Sequence, residues 1–322
     1  MSLPESIASR LTIPAICAPM FMVSTPELVR EACLAGVIGG LPRQNARSLE
    51  QFESWLSDIR GAIDRYQGET GRARTAPIAV NMASNLSATE FAENLDLCRK
   101  YGVEIIINAT GNPTELTQRA HDHGMLVYAD AVNMRFAEKA IAAGVDGITV
   151  IGAGGGGHSG TLSHLAFVGA VRKVFNGTII MAGAVTNGAT IRVAEILGAD
   201  LAYLGTRFIA SRESGAAPDY KAMLVSQGMS DLIYTPAIAG VPANWLAASI
   251  DAVGLDRDKL PVREAGGYGY DHLPDHVRPW HNLWSAGQGI ELIDDVPAVA
   301  ELVKRLREEY DVACATPRFA SA

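Results

Sequence analysis

One stretch of the sequence concentrates the groups that could do chemistry: Gly152-Ala153-Gly154-Gly155-Gly156-Gly157-His158-Ser159-Gly160. Histidine changes charge near neutral pH and can serve as general acid, general base or anion partner. Glycine in that number costs chain entropy on folding, and it is useful where the backbone takes unusual dihedrals or lies against a ligand. The glycines before His158 leave it few neighbours that would fix it for structure alone, so His158 is the catalytic candidate. His121, His123, His164, His272, His276 and His281 read instead as surface residues or structural hydrogen-bonders. Gly152-x-Gly154-x-x-Gly157 also matches the dinucleotide fingerprint in form. That motif needs an acid about 20 residues on, at the end of the next strand. The next apolar run, Thr178 to Ala184, contains none, and the Walker pattern is absent.

The elements that must position this run follow from the apolar pattern. Eight short runs are near-continuous, as expected for strands covered on both faces: Ile13 to Met20, Val37 to Leu41, Pro77 to Ala83, Val103 to Ala109, Leu126 to Ala131, Gly147 to Ile151, Thr178 to Ala184 and Leu201 to Phe208. Stretches of helical spacing separate them, with Phe91, Leu95 and Cys98 at i, i+4 and i+7. Thr25-Pro26 and Asn112-Pro113 read as helix starts, and Gly102, Gly124, Gly144 and Gly198 as helix ends. After a helical stretch at Pro218 to Gln227 come about fifty residues rich in Pro, Gly, Tyr and His with little periodicity. The pattern Val296 to Tyr310 then supplies a last outer helix. This predicts a (β/α)8 TIM barrel, formed by 1–212 and 286–322, with an insertion lobe of 213–285 between strand 8 and helix 8. The same alternation permits an open doubly wound sheet, against which the strand count weighs.

Barrels of this kind carry their sites at the C-terminal strand ends, and those that hold a phosphate often use the loops after strands 7 and 8. Those ends read Ala18-Pro19-Met20, Pro42-Arg43, Asn81-Met82, Asn108, Asp130, the glycine run, Gly183-Ala184 and Gly205-Thr206-Arg207. Gly183 and Gly205 open the two phosphate-type loops, so a phosphorylated ligand is expected there unless they are only tight turns.

Composition narrows the class of partner. The chain has 322 residues, 48% apolar and 19% charged, with a net charge of -8 and a pI near 5.4. This balance suits a globular protein with a large core and argues against nucleic acid or an anionic membrane surface as partner. The cysteines, Cys17, Cys33, Cys98 and Cys314, are far apart without a CxxC spacing, so neither a metal site nor a disulfide framework is expected. No signal peptide or long apolar span is read, and a cytoplasmic location is the expectation.

Taken together and in order, several motifs resemble the flavin-dependent nitronate monooxygenases, formerly 2-nitropropane dioxygenases. They are Ile13-Pro14-Ala15-Ile16-Cys17-Ala18-Pro19-Met20, Val80-Asn81-Met82, Gly156-Gly157-His158-Ser159-Gly160, Met181-Ala182-Gly183-Ala184, Gly198-Ala199-Asp200, Leu204-Gly205-Thr206-Arg207-Phe208 and Ser285-Ala286-Gly287-Gln288-Gly289. The resemblance implies a barrel that binds FMN, with its phosphate at Gly183-Ala184 and Gly205-Thr206. The ring would be approached by Ala18, Pro19, Met20, Asn81 and the glycines up to Gly156, with Asp130 and Gln288 also at the cofactor. It implies oxidation of alkyl nitronates or nitroalkanes by O2 to a carbonyl compound and nitrite, with His158 contacting the nitro group or removing the α-proton. A homodimer is a compatible assembly.

The chain departs from that family at three places. Gly154-Gly155 stand where members often have Glu-Ala, and Ala184 stands where a second glycine is usual. Ala184 still offers its N–H if its φ is negative. Asp130 occupies a strand end where some members place a lysine near the flavin, so either its carboxylate points away or another group supplies the field. Two other functions fit the same sequence: an NAD(P)H-dependent FMN reductase acting on quinones or an enoyl thioester, and a flavin-free barrel that only binds. In the insertion, Tyr234, Trp245, Tyr268, Tyr270 and Trp280 could form a lid, a subunit interface or a satellite core, the packing roles being expected for most.

Overall fold

The computed structural model describes residues 2–71, 75–263 and 267–316; the end of the predicted barrel segment, beyond 316, lies outside them. Eight parallel strands close a barrel: β1 (Ala15–Cys17), β2 (Ile38–Pro42), β3 (Ile78–Met82), β4 (Ile105–Asn108), β5 (Leu126–Ala131), β6 (Gly147–Ile151), β8 (Thr178–Ala182) and β9 (Leu201–Leu204). β9 pairs back to β1 through Ile16 and Tyr203, which completes the ring. A two-residue strand, β7 (Gly157–His158), lies between β6 and β8 in sequence but outside the barrel.

The period of two along each strand divides the apolar residues between two cores. Ile16, Ile38, Ala79, Ile105, Ile107, Tyr128, Ile180 and Leu201 fill the barrel interior, joined by Leu3 and by Ile7 of the short α1 (Glu5–Ala8). The alternate residues, among them Val80, Ile106, Val127, Ile148 and Ile179, pack outward against the helices. Those helices are α2 (Pro26–Ala35), α3 (Leu49–Thr70), α4 (Ala88–Lys100), α5 (Thr114–Asp122), α6 (Met134–Ala142), α7 (His164–Arg172) and α8 (Gly188–Leu197). Thr25 caps α2 by accepting from Leu28 N–H, worth about 1 kcal/mol. Asn112 accepts from Thr114 N–H one step before α5, so it closes a turn ahead of the helix rather than capping it at Pro113. Gly102, Gly124, Gly144 and Gly198 all take positive φ at helix ends.

Five of the predicted strands, those matching β1, β3, β4, β8 and β9, are longer than the observed ones at their C-terminal ends. Pro19 cannot donate to a ladder, Gly183 turns to φ +113, and the chain after Leu204 enters a short helix, α9 (Thr206–Ile209). These unpaired ends are the residues freed to meet a ligand.

Beyond α9 the chain forms α10 (Pro218–Ser226), β10 (Leu232–Thr235), β11 (Ala243–Leu246) and α11 (Ala247–Ala252). β10, β11 and β7 make a small antiparallel sheet. Ile238, Trp245, Ile250, Leu273 and Leu283 form a second core beneath it. The last helix, α12 (Val299–Cys314), returns to the barrel and packs between α8 and α2, closing the outer ring. Cys17, Cys33 and Cys98 are buried and free, and Cys314 is exposed. Among the described residues no helix is long and apolar enough to cross a membrane.

Candidate active site

A cavity of about 590 Å³ opens at the C-terminal end of the barrel. Each candidate named from sequence lines it except Gln288: Ala18, Pro19, Met20, Asn81, Asp130, Gly156, His158, Gly183, Ala184, Gly205 and Thr206. Gln288 lies just behind the wall, where its N–H donates to Gly154 O at 2.9 Å. Its side chain stands where a Cβ on Gly154 would fall, 2.8 Å from Oε1.

The glycine run is a backbone wall, and local geometry explains its composition. Gly154 and Gly157 take φ of +87 and +70. A Cβ on Gly152 would strike the His164 ring at 2.5 Å, and one on Gly156 would meet Gly287 N at 2.7 Å. His164 itself is structural, donating from Nε2 to Ala182 O at 2.7 Å. The wall is fastened from the lobe: Asn244 Nδ2 donates to Gly155 O at 2.7 Å, and Tyr234 donates its hydroxyl to Ser159 O at 3.2 Å. His158 therefore belongs to the lobe's sheet, opposite Ala243, as well as to the barrel mouth.

The His158 ring has no hydrogen-bond partner among the described residues. Tyr268 and Trp280 meet it edge-on, with centroids at 5.2 and 5.9 Å. The residue is exposed at the cavity mouth, yet the groups crowded around its ring strip part of its hydration and lower its pKa, so the ring is neutral at pH 7 and carries one donor and one acceptor nitrogen. Trp280 holds a left-handed φ of +69, an unusual conformation for a large side chain. It also packs on Trp245, the fully buried centre of the second core. Tyr268 and Trp280 thus shape the cavity while Trp245 and Tyr270 pack the lobe.

Beside the glycine wall, the loops after β8 and β9 present Gly183-Ala184-Val185 and Gly205-Thr206 to the same cavity. Among the described residues no acceptor meets the backbone N–H groups of Ala184, Val185, Gly205 or Thr206. Donors left unpaired on a cavity wall favour an oxyanion such as phosphate. The condition set for Ala184, a negative φ, is not met: it takes φ +56, left-handed, where the chain turns sharply after Gly183 at φ +113. Its N–H is still presented, from backbone that costs about 1 kcal/mol for a residue with a Cβ. Thr206 Oγ1 accepts from Gly287 N–H at 2.9 Å and ties this loop to the segment behind the glycine wall.

The floor is polar. Asn81 Nδ2 donates to Ile107 O at 3.1 Å, which fixes its amide. Asp130 does not point away: its half-buried carboxyl faces the cavity, and its Oδ1 is buried without a hydrogen-bond partner. Burial pushes its pKa up to about 7, with the Thr149 hydroxyl pulling part of the way back. Tyr203, which the sequence reading passed over, shares the floor, its phenol held above the usual range by burial and then by Asp130. Its signal was available in the alternation of Leu201 and Tyr203 on the inward face. Asn244 had no such signal, because it reaches the site only through the lobe's pairing.

These residues suit a flat, phosphorylated cofactor: a cradle of free N–H groups on one wall, a side-chain-free wall beside it, and an unpartnered carboxyl oxygen on the floor. A sequence model of the family described as nitronate monooxygenase matches residues 8–309. A nitronate monooxygenase from Paraburkholderia phytofirmans is 28% identical, over 92% of each chain. Among solved structures, FabK from Thermotoga maritima is similar with a TM-score of 0.73, 22% identity and coverage of 94% of both chains. A nitroalkane oxidase from Streptomyces ansochromogenes is similar with a TM-score of 0.72 and 22% identity, covering 96% of this chain and 99% of that one. At these identities the two structures speak to the fold alone.

Proposed function

Since the chain belongs to the nitronate monooxygenase family, a family of flavin-dependent oxidoreductases, we propose that it binds FMN in this cavity and oxidises alkyl nitronates with O2. The products are a carbonyl compound and nitrite. When bound, FMN supplies the electron transfer between the nitronate and oxygen. The observation that carries the proposal is the placing of one unpartnered, neutral histidine in the same cavity as a cradle of free N–H groups.

The chain's own groups then have separate tasks. Ala184, Val185, Gly205 and Thr206 hold the phosphate through backbone donors. The glycine wall lets a ring approach without a side chain between. His158 offers its N–H to the nitro oxygens of a nitronate, or takes the α-proton of a neutral nitroalkane on its unprotonated nitrogen. Tyr268 and Trp280 keep the histidine's orientation and narrow the water path to it.

The test is anaerobic mixing of the yellow protein with propyl-2-nitronate and, separately, with NADH. Bleaching of the flavin by the nitronate, with nitrite released on readmitting oxygen, is the expected result. Bleaching by NADH alone would replace this function with that of an NAD(P)H-dependent FMN reductase acting on quinones or an enoyl thioester. A protein that takes up no FMN would refute both.

A further inference from the structure

We propose that Asp130 is a proton-dependent ligand of the cofactor, its carboxyl having to carry a proton for FMN to bind, so that FMN affinity falls as this one acid ionises. This goes beyond the FMN reading above and rests on it.

Asp130 ends β5 on the cavity floor, and its Oδ1 is buried without a partner. The groups facing it come from two other strands: Thr149 on β6 and Tyr203 on β9. Neither carries a positive charge, and among the described residues no lysine or arginine lines the cavity. The other titratable groups on its walls are His158, kept neutral by partial desolvation, and the phenols Tyr220 and Tyr268. A ligand covering the floor strips water from the carboxyl. Left ionised there it would be a buried charge with no counter-ion, with only acceptors to offer a ring whose heteroatoms are mostly acceptors. Protonated, it satisfies one of those acceptors with its O–H. Burial already moves the carboxyl up to about 7 before any ligand arrives.

The experiment dilutes the full-length flavoprotein and reads released FMN by fluorescence across the neutral range. If only the protonated form binds, apparent affinity scales with its fraction, which drops from about nine-tenths near pH 6 to about one-tenth near pH 8. Wild type should lose roughly tenfold in affinity over that interval relative to Asp130→Asn, whose amide donates at every pH. The FMN phosphate, which titrates near pH 6, and His158 act equally on both proteins and cancel in the ratio. Thr149→Val removes the hydroxyl that lowers the acid, so its midpoint should lie at higher pH than that of wild type. The Thr149→Val comparison decides the matter on its own if Asp130→Asn fails to hold FMN. Parallel profiles for wild type and Asp130→Asn, or an unmoved midpoint in Thr149→Val, overturn the proposal while leaving FMN binding intact. Absence of FMN binding at every pH overturns the flavin reading and the proposal with it.

Discussion

Replacing Asp130 by Asn should make the protein gain on wild type as pH rises, and the size of the gain can be worked from the burial of one carboxyl. Its folded pKa of about 7 lies above the roughly 3.9 of an aspartate in an unfolded chain. Between roughly pH 4 and pH 7 the folded state therefore binds more protons than the unfolded state, so rising pH weakens folding across that window and then has no further effect. Integrating the proton difference from about pH 5.5 to about pH 8 gives about 2 kcal/mol lost by wild type and not by Asp130→Asn. The assay is urea unfolding of the flavin-free proteins at those two pH values, with the difference between variants as the readout. Every other titrating group is common to both and drops out. A stability gap between the two proteins that is the same at both pH values would show that the carboxyl is solvated in the folded state, and the reasoning from burial would be wrong.

Three further outcomes test the site. His158→Asn should keep its flavin and lose about 10²- to 10⁴-fold in nitrite release from nitroalkanes; in wild type kcat/KM should fall on the acid side as His158 protonates, below the ordinary histidine range because desolvation by its neighbours lowers its pKa. Ala184→Val should lower Tm and FMN occupancy, because a β-branched residue at φ +56 is strained beyond the alanine's about 1 kcal/mol, whereas Ala184→Gly relieves that strain. Gly156→Ala should cost about 1–3 kcal/mol in urea unfolding and displace the 286–289 segment, since its Cβ would lie 2.7 Å from the backbone nitrogen of Gly287, which cannot swing away like a side chain.

The barrel was legible because its signals are local. Runs such as Ile105–Asn108 are buried on both faces, and that burial leaves a continuous apolar stretch in the sequence. The loop positions at Gly183 and Gly205 followed from the strand count. What stayed hidden depends on contacts distant in sequence. Asn244 reaches Gly155 across 89 positions, in a segment with no periodicity to suggest a strand. The left-handed turn at Ala184 was hidden for another reason: alanine carries no mark of positive φ, and only the neighbouring Gly183 hints that the chain turns there. Asp130 could be placed on a strand end from sequence, but its raised pKa depends on burial in a cavity that no Lys or Arg lines among the described residues, which only the assembled cavity shows.

The placing of His158 follows from the same long-range pairing. Glycines give a loop freedom, and freedom alone would leave the histidine without a fixed direction. The lobe removes that freedom by making Gly157 and His158 a strand, paired with Asn244 and Ala243. In a strand successive side chains point to opposite faces, so His158 lines the cavity while Ser159 is buried away from it. A slip of one residue in this pairing would exchange the two and leave a serine at the mouth. Two side-chain bonds hold the register on either side, Asn244 to Gly155 O and Tyr234 to Ser159 O. The insertion therefore does more than cover the barrel. It selects which face of the glycine run lines the cavity, so sequence changes in β10 and β11 should alter turnover even where they do not touch the cavity.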